Sequence, residues 1–426
     1  MTPATGRPPR RGRRGWAWWG AVALALAPPA AAAQATPPGD STIISVLTMG
    51  PGKEVFERFG HISIRVHDLH TGLDSAYNWG MFSFAQPRFL QRFLTGDTRY
   101  WMEGFPTLPL VAAYRNAGRW VTEQELALST AEADSLRRFI QWNAREENKW
   151  YRYDYYRDNC STRVRDVLDM VLGGAIRREV SSREHGVTYR SETLRLAAAY
   201  PVLDLGMDFA LGLRADATLS AWQEMFIPMR LLELIRDVKV RRGGGVPTPL
   251  VRAERRLVVD DRLADRPSPP DLFWPALGAG MTLAAAVLVL GTLSGRSGAA
   301  RWGIATVGAA WHALAGSAGL FVLFLGLFTR HVFMARNLNL LLATPVSLAL
   351  AVLFPLAIGR SSQRAVRIAR SLGVFAVVAA LAAMALRVVP GLAQENGPLL
   401  ALVVPAQVAL AVALWRATTA RGGKAA

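Results

Sequence analysis

The sequence predicts an exported α+β domain followed by a transmembrane domain of five α-helices. Three observations carry this. A basic stretch, Arg7 to Arg14, precedes the apolar run Trp16–Ala27 and the small residues Ala30–Ala35, which is the pattern of a secretory signal. From residue 272 onward, five apolar stretches follow one another almost without charge. Each has the roughly 20 residues that a helix needs to cross a bilayer. Between these ends, period-two segments alternate with segments of helical spacing. The expected boundaries are a signal at 1–35, the exported domain at 36–235, a linker at 236–270, five spans within 271–416 and a tail at 417–426.

The charge follows the same division. The 426 residues hold 49 Lys+Arg against 32 Asp+Glu, a net charge of +17. Most of the excess sits in the signal and in three short segments. These carry Arg296 and Arg301; Arg360, Arg364, Arg367 and Arg370; and Arg416, Arg421 and Lys424. What is left gives no basic face of the kind a duplex needs, which excludes nucleic-acid binding. A hydrophobic share of 51% with 19% charged residues also excludes a disordered chain or a coiled coil. The spans are expected at 272–293, 302–328, 338–359, 371–389 and 397–415. With 36–270 outside, all three basic connections fall on the cytoplasmic side, as the excess of Lys and Arg requires.

The exported part begins with a strand at 42–48, a Gly/Pro turn and a short helical piece ending at Phe59. Residues 61–66 alternate polar and apolar, a half-buried strand. Thr71-Gly72 marks a hairpin turn, and Ser75–Gly80 returns beside the first strand. Ser129, Thr130 and Glu132 supply capping chemistry for an amphipathic helix at 129–146. After Cys160, the residues Val164, Val167, Leu168 and Val171 recur at helical spacing, which places Cys160 at a helix N-terminus. The arginine- and glycine-rich 236–270 reads as linker.

Cys160 is the only cysteine, so no intramolecular disulfide forms. A helix N-terminus carries about half a positive charge and stabilises a thiolate. Its free N–H groups, those of Cys160 and Ser161, can also hold an oxyanion. The base for such a nucleophile is His61, with Gly60 leaving room beside the ring and with Ser63 and Arg65 on the same strand face. Asn78 on the neighbouring strand is the expected third member, with His67 or Asp154 taking its place if the register differs. No HExxH, paired CxxC or phosphate-binding loop occurs, so neither a metal nor a cofactor is expected. His312 reads as a packed residue of the second span, and Pro345 as a kink in the third.

The residues around His61 and Cys160 resemble the permuted papain-like superfamily, in which a His strand precedes a Cys helix. The chain as a whole resembles the Lnb-type bacterial lipoprotein N-acyltransferases. The likeness rests on Phe59-Gly60-His61, Tyr77-Asn78-Trp79-Gly80, Tyr151 to Asp154, and Asn159-Cys160-Ser161-Thr162-Arg163 with Arg165-Asp166. It extends to Tyr189-Arg190, Met225 to Pro228, and Asn337 to Leu340 with Pro345.

The resemblance implies a catalytic domain on the periplasmic side of the inner (cytoplasmic) membrane. There an acyl chain would pass from a phospholipid, through a Cys160 thioester, to the α-amino group of a diacylglyceryl lipoprotein. Arg336, Asn337 and Asn339, at the outer end of the membrane half, are candidates for binding the headgroup or orienting the lipoprotein. The same Cys–His pair would serve a phospholipase or a cell-wall amidase. A receptor with an inert thiol is the non-enzymatic alternative.

Overall fold

The computed structural model describes residues 42–260, 266–359 and 363–422; the expected signal lies outside them. The chain runs β1 (Thr42–Met49), β2 (His61–Asp68), β3 (Asp74–Met81), α1 (Phe89–Thr95), β4 (Arg99–Pro106), α2 (Thr107–Asn116), β5 (Val121–Leu126), α3 (Thr130–Asn143), β6 (Trp150–Arg152) and α4 (Cys160–Val171). It continues through α5 (Ala175–Val180), β7 (Glu184–Thr188), α6 (Tyr189–Ala197), α7 (Pro201–Ala210), β8 (Thr218–Ser220), α8 (Ala221–Glu224) and α9 (Pro228–Arg236). Then come β9 (Lys239–Val240), β10 (Thr248–Pro249) and β11 (Val251–Val258). The helical half is α10 (Phe273–Leu293), α11 (Gly298–Phe328), α12 (Ser347–Gly359), α13 (Gln363–Leu386) and α14 (Gly397–Gly422).

One seven-stranded antiparallel sheet, ordered β11-β5-β1-β2-β3-β4-β6, organises the exported part. The period-two pattern of β2 sends Ile62, Ile64 and Val66 to one face, where Val164, Val167 and Leu168 of α4 and Leu136 and Ile140 of α3 cover them. On the other face, Leu47, Met49 and Ala76 pack with Val111 of α2. The capping box at Ser129 and Glu132 starts α3 as expected. The linker reading of 236–270 is corrected in part. Val251–Val258 is an edge strand paired with β5, with Arg255 reaching Glu123 and Arg236 reaching Glu254. Charges facing solvent beside a sheet edge are ordinary for an edge strand, and they hid the pattern of this one.

Five helices follow as expected, α10 to α14. Among the described residues, four of them are long and apolar enough to cross a membrane: α10, α11, α13 and the Gly397–Thr419 part of α14. The third expected span is divided. Asn337 caps a short 3-10 helix, Leu338–Leu341, and α12 starts only at Ser347. Its 13 residues reach about 20 Å, short of about 30 Å of hydrocarbon. Pro345 does not kink a helix but stands in the turn before α12, because the residue preceding a proline is driven out of helical geometry. The proline inside α12 is Pro355.

The connection between α11 and α12 docks on the exported domain. Gly212 N–H donates to Phe333 O at 2.8 Å, and the Phe333 ring sits among Tyr156, Tyr189 and Phe226. Arg190, 1% exposed, braces the receiving side. Its guanidinium bonds Asp208 (2.7 Å), Asp216 (2.6 Å) and Leu211 O (2.8 Å). Replacing Arg190 with Leu leaves two buried carboxylates unpaired and should cost about 3–5 kcal/mol. Thermal unfolding in detergent checks this, and Arg190→Lys should rescue little, because an ammonium cannot reproduce the fork.

Candidate active site

β2 delivers His61 at its first residue, and the register sets its partner. Ser63 stands opposite Asn78, so His61 and Asn78 share a sheet face two residues apart. His61 Nε2 and Asn78 Oδ1 are 3.0 Å apart. Asn78 Nδ2 donates to Ala76 O at 2.9 Å, which leaves Oδ1 as the acceptor. His61 Nε2 must then carry the hydrogen, and Nδ1 keeps a bare lone pair. The alternatives are placed elsewhere. His67 stands opposite Asp74, and the Asp154 carboxylate accepts from the amides of Tyr156 and Arg157.

Cys160 opens α4. Asn159 is its N-cap, accepting from Ser161 N–H and Thr162 N–H at 2.9 Å each, while Asn159 N–H donates to Thr162 Oγ1 at 2.8 Å. Ser161 Oγ donates to Met225 O at 2.6 Å and pins the first turn. The sheet opens to admit this helix end. The β2–β3 ladder stops at Ser63/Asn78, and Gly80 is an extra residue in the β3–β4 register with φ +90°. A Cβ at Gly80 would lie 3.4 Å from Cys160 Cβ, so a bulged glycine suits both the backbone and the fit. The backbone N–H groups of Ser161, Ile62 and Cys160 itself favour the thiolate there. Ile62 is the residue after His61.

Gly60 does something other than clear space for the imidazole. Its φ is +73°, and a Cβ there would strike Met229 Sδ at 2.5 Å and Met49 O at 2.9 Å. The space beside it belongs to Met229.

The electrostatics correct the expectation of a ready thiolate. Burial pushes the Cys160 thiol up to about 11, even though three backbone N–H groups and the Arg119 charge pull it down. Burial, and then Arg119, lowers His61 from 6.5 to about 4, against the upward pull of Asn78. Near neutral pH both groups are therefore uncharged, a thiol and a neutral imidazole. The half charge of a helix end is too small to offset the loss of solvent.

Two residues that the sequence reading did not single out complete the surroundings. Tyr114 of α2 stacks on His61 with ring centroids 6.4 Å apart. Arg119, 5% exposed, lies over the Tyr114 ring at 4.7 Å, donates to Gly50 O at 2.8 Å and pairs with Glu57 at 3.2 Å. Its Nη2 is buried without a hydrogen-bond partner. No spacing in the sequence marks these two, since only the sheet and α2 bring them to His61.

Arg336, Asn337 and Asn339 are placed away from this pair, in the docking loop. Arg336 is exposed, with φ +52°. Asn337 and Asn339, 4% and 0% exposed, are fully engaged. Asn337 Nδ2 donates to Phe209 O and Ala210 O, and Asn339 Nδ2 to Phe209 O at 3.0 Å. Gln394 and Asn396 donate to their side-chain oxygens at 3.1 and 2.7 Å. These amides join the two halves of the protein, which leaves them no free group for a substrate.

Because Cys160 is the single thiol, its alkylation can be followed directly. With iodoacetamide the rate should climb about tenfold per pH unit from pH 7 towards 10, since only the thiolate reacts. A plateau between pH 5 and 7 would mean a preformed ion pair. Arg119→Met should slow the reaction at every pH, because its charge favours the thiolate.

Residues 30–197 match the family model described as the Lnb N-terminal periplasmic domain, and residues 269–415 match that described as the Lnb transmembrane domain. No curated protein and no solved structure matches the chain.

Proposed function

This chain is an Lnb-type protein, a membrane protein with a periplasmic domain, and from that premise we propose that it is a lipoprotein N-acyltransferase. The acyl donor is a membrane phospholipid, and the acceptor is the α-amino group of a diacylglyceryl lipoprotein at the bacterial inner membrane. The observation that carries the proposal is the His61–Asn78 bond on β2 and β3, with Gly80 of the same β3 strand 3.4 Å, at its Cβ position, from the only cysteine. A His strand that precedes a Cys helix is also in keeping with a permuted papain-like arrangement.

His61 Nδ1 takes the Cys160 proton as Sγ attacks the ester carbonyl. The tetrahedral oxyanion rests on the N–H groups of Ile62 and Cys160, because Ser161 N–H is already held by Asn159. The C–O bond breaks, and His61 returns the proton to the departing glyceryl oxygen. Lysophospholipid leaves, and Cys160 carries a thioester. The lipoprotein amine then attacks the thioester carbonyl. His61 accepts a proton from the nitrogen and hands it to sulfur as the C–S bond breaks, leaving an amide. Asn78 holds the imidazole in the tautomer that this requires.

Mass spectrometry of a diacylglyceryl lipopeptide incubated with the full-length protein in phospholipid tests the proposal. The lipopeptide should gain one acyl group. Cys160→Ala should abolish the gain, His61→Ala should lower it at least about 100-fold, and Asn78→Ala should lower it about 10- to 100-fold. Free fatty acid in place of acylated lipopeptide would make the protein a phospholipase, and no reaction with any lipid would favour a receptor.

A further inference from the structure

The exported half carries an apolar patch that the chemistry above does not use. Phe84 and Leu90 are each 68% exposed, and Phe56 and Phe93 about half exposed. Their rings form one cluster: Phe82–Phe84 at 5.2 Å, Phe84–Phe89 at 5.1 Å, Phe56–Phe82 at 5.8 Å and Phe89–Phe93 at 6.2 Å. So many exposed aromatic side chains in one place mark a surface made to be covered.

Its position says what covers it. Two residues beyond the end of α11, Arg330 N–H donates to Thr95 O at 2.9 Å, and the Arg330 guanidinium reaches Asp97 at 3.0 Å. His331 Nε2 bonds Phe93 O at 3.1 Å. α1 is thereby held level with the point where a membrane-spanning helix ends. Leu327 and Phe328 are also exposed at that helix end. The exposed Arg88 at the head of α1 is a cation suited to headgroup phosphates.

The patch also leads inward. Phe82 stacks on Tyr100 at 5.1 Å, and Tyr100 stacks on Tyr153 at 4.3 Å. The Tyr153 ring and Cys160 both border Gly80, at 3.7 and 3.4 Å from the position of a Cβ there. An aromatic row thus runs from the exposed patch to the glycine that borders Cys160.

We infer that α1 and the Phe82–Phe89 segment form a lipid-entry site. It dips into the outer leaflet, takes one acyl chain of a phospholipid and guides its ester along the Tyr100–Tyr153 row to Cys160. The last step rests on the acyltransferase reading, whereas contact with the membrane does not.

Phe84→Cys and Leu90→Cys, each combined with Cys160→Ser, give proteins with a single thiol for a polarity-sensitive fluorophore. Leu73→Cys is the comparison, because it lies across the length of β2 and β3 from Phe82. In vesicles of phosphatidylethanolamine and phosphatidylglycerol with brominated acyl chains, fluorescence at 84 and 90 should fall at least about twofold while that at 73 does not, as expected for side chains seated among lipid tails. Equal behaviour at the three positions overturns the inference.

In the otherwise unaltered protein, Phe84→Ser with Leu90→Ser should lower turnover of bilayer phospholipid about tenfold relative to that of a short-chain p-nitrophenyl ester, since two apolar anchors are lost. An unchanged ratio overturns the guiding role. Quenching at 84 and 90, together with no acyl transfer by the protein that keeps Cys160, would uphold the lipid contact and remove the transferase reading.

Discussion

The joint between the two halves is the constraint on which the site depends. Asn337 and Asn339 are buried where water cannot satisfy an amide, so each donor and acceptor must find a protein partner. They find the carbonyls of Phe209 and Ala210 on one side and the amides of Gln394 and Asn396 on the other. Together these bonds tie the exported domain to the helices. The left-handed backbone of Arg336 and the Phe333 ring in its aromatic cage hold the loop in the same placement. For the proposed lipid chemistry that fixed height matters, since proximity to the bilayer replaces diffusion of a substrate that cannot leave it.

Within the exported domain the governing balance is between burial and charge. Cys160 and His61 are both held neutral by loss of solvent, against the pull of helix amides on one and of Asn78 on the other. A neutral pair suits a nucleophile that is to act only with substrate present, because the proton moves as the bond forms. Arg119 is a fixed charge that acts on both groups, and the bulge at Gly80 brings the first residue of α4 against the sheet. Neither the bulge nor the arginine would act without the other elements of the sheet around them.

Several local features were legible in the chain. The strand pattern of 61–66, the Thr71-Gly72 turn, the capping box at Ser129 and the helix start at Cys160 all follow from periods and caps, which act over a few residues. Asn78 could be named because a hairpin of known turn fixes which residues stand opposite. Val251–Val258 was not legible, since an edge strand with charges facing solvent has the composition of a linker. The break within 338–359 was hidden for the opposite reason. Hydropathy over 338–359 is continuous, but the Asn337 cap and Pro345 break the backbone within it.

By itself, then, the sequence determined the local elements, the apolar helical tail, the single thiol at a helix start and the strand histidine that pairs with Asn78. These depend on side-chain period, length and residue type. The tertiary structure alone decided which tautomer His61 holds, that the thiol stays protonated, that Tyr114 and Arg119 belong to the site, and that Asn337 and Asn339 join domains. Each of those depends on burial and on partners far away in the chain, and neither is written in the spacing of neighbouring residues.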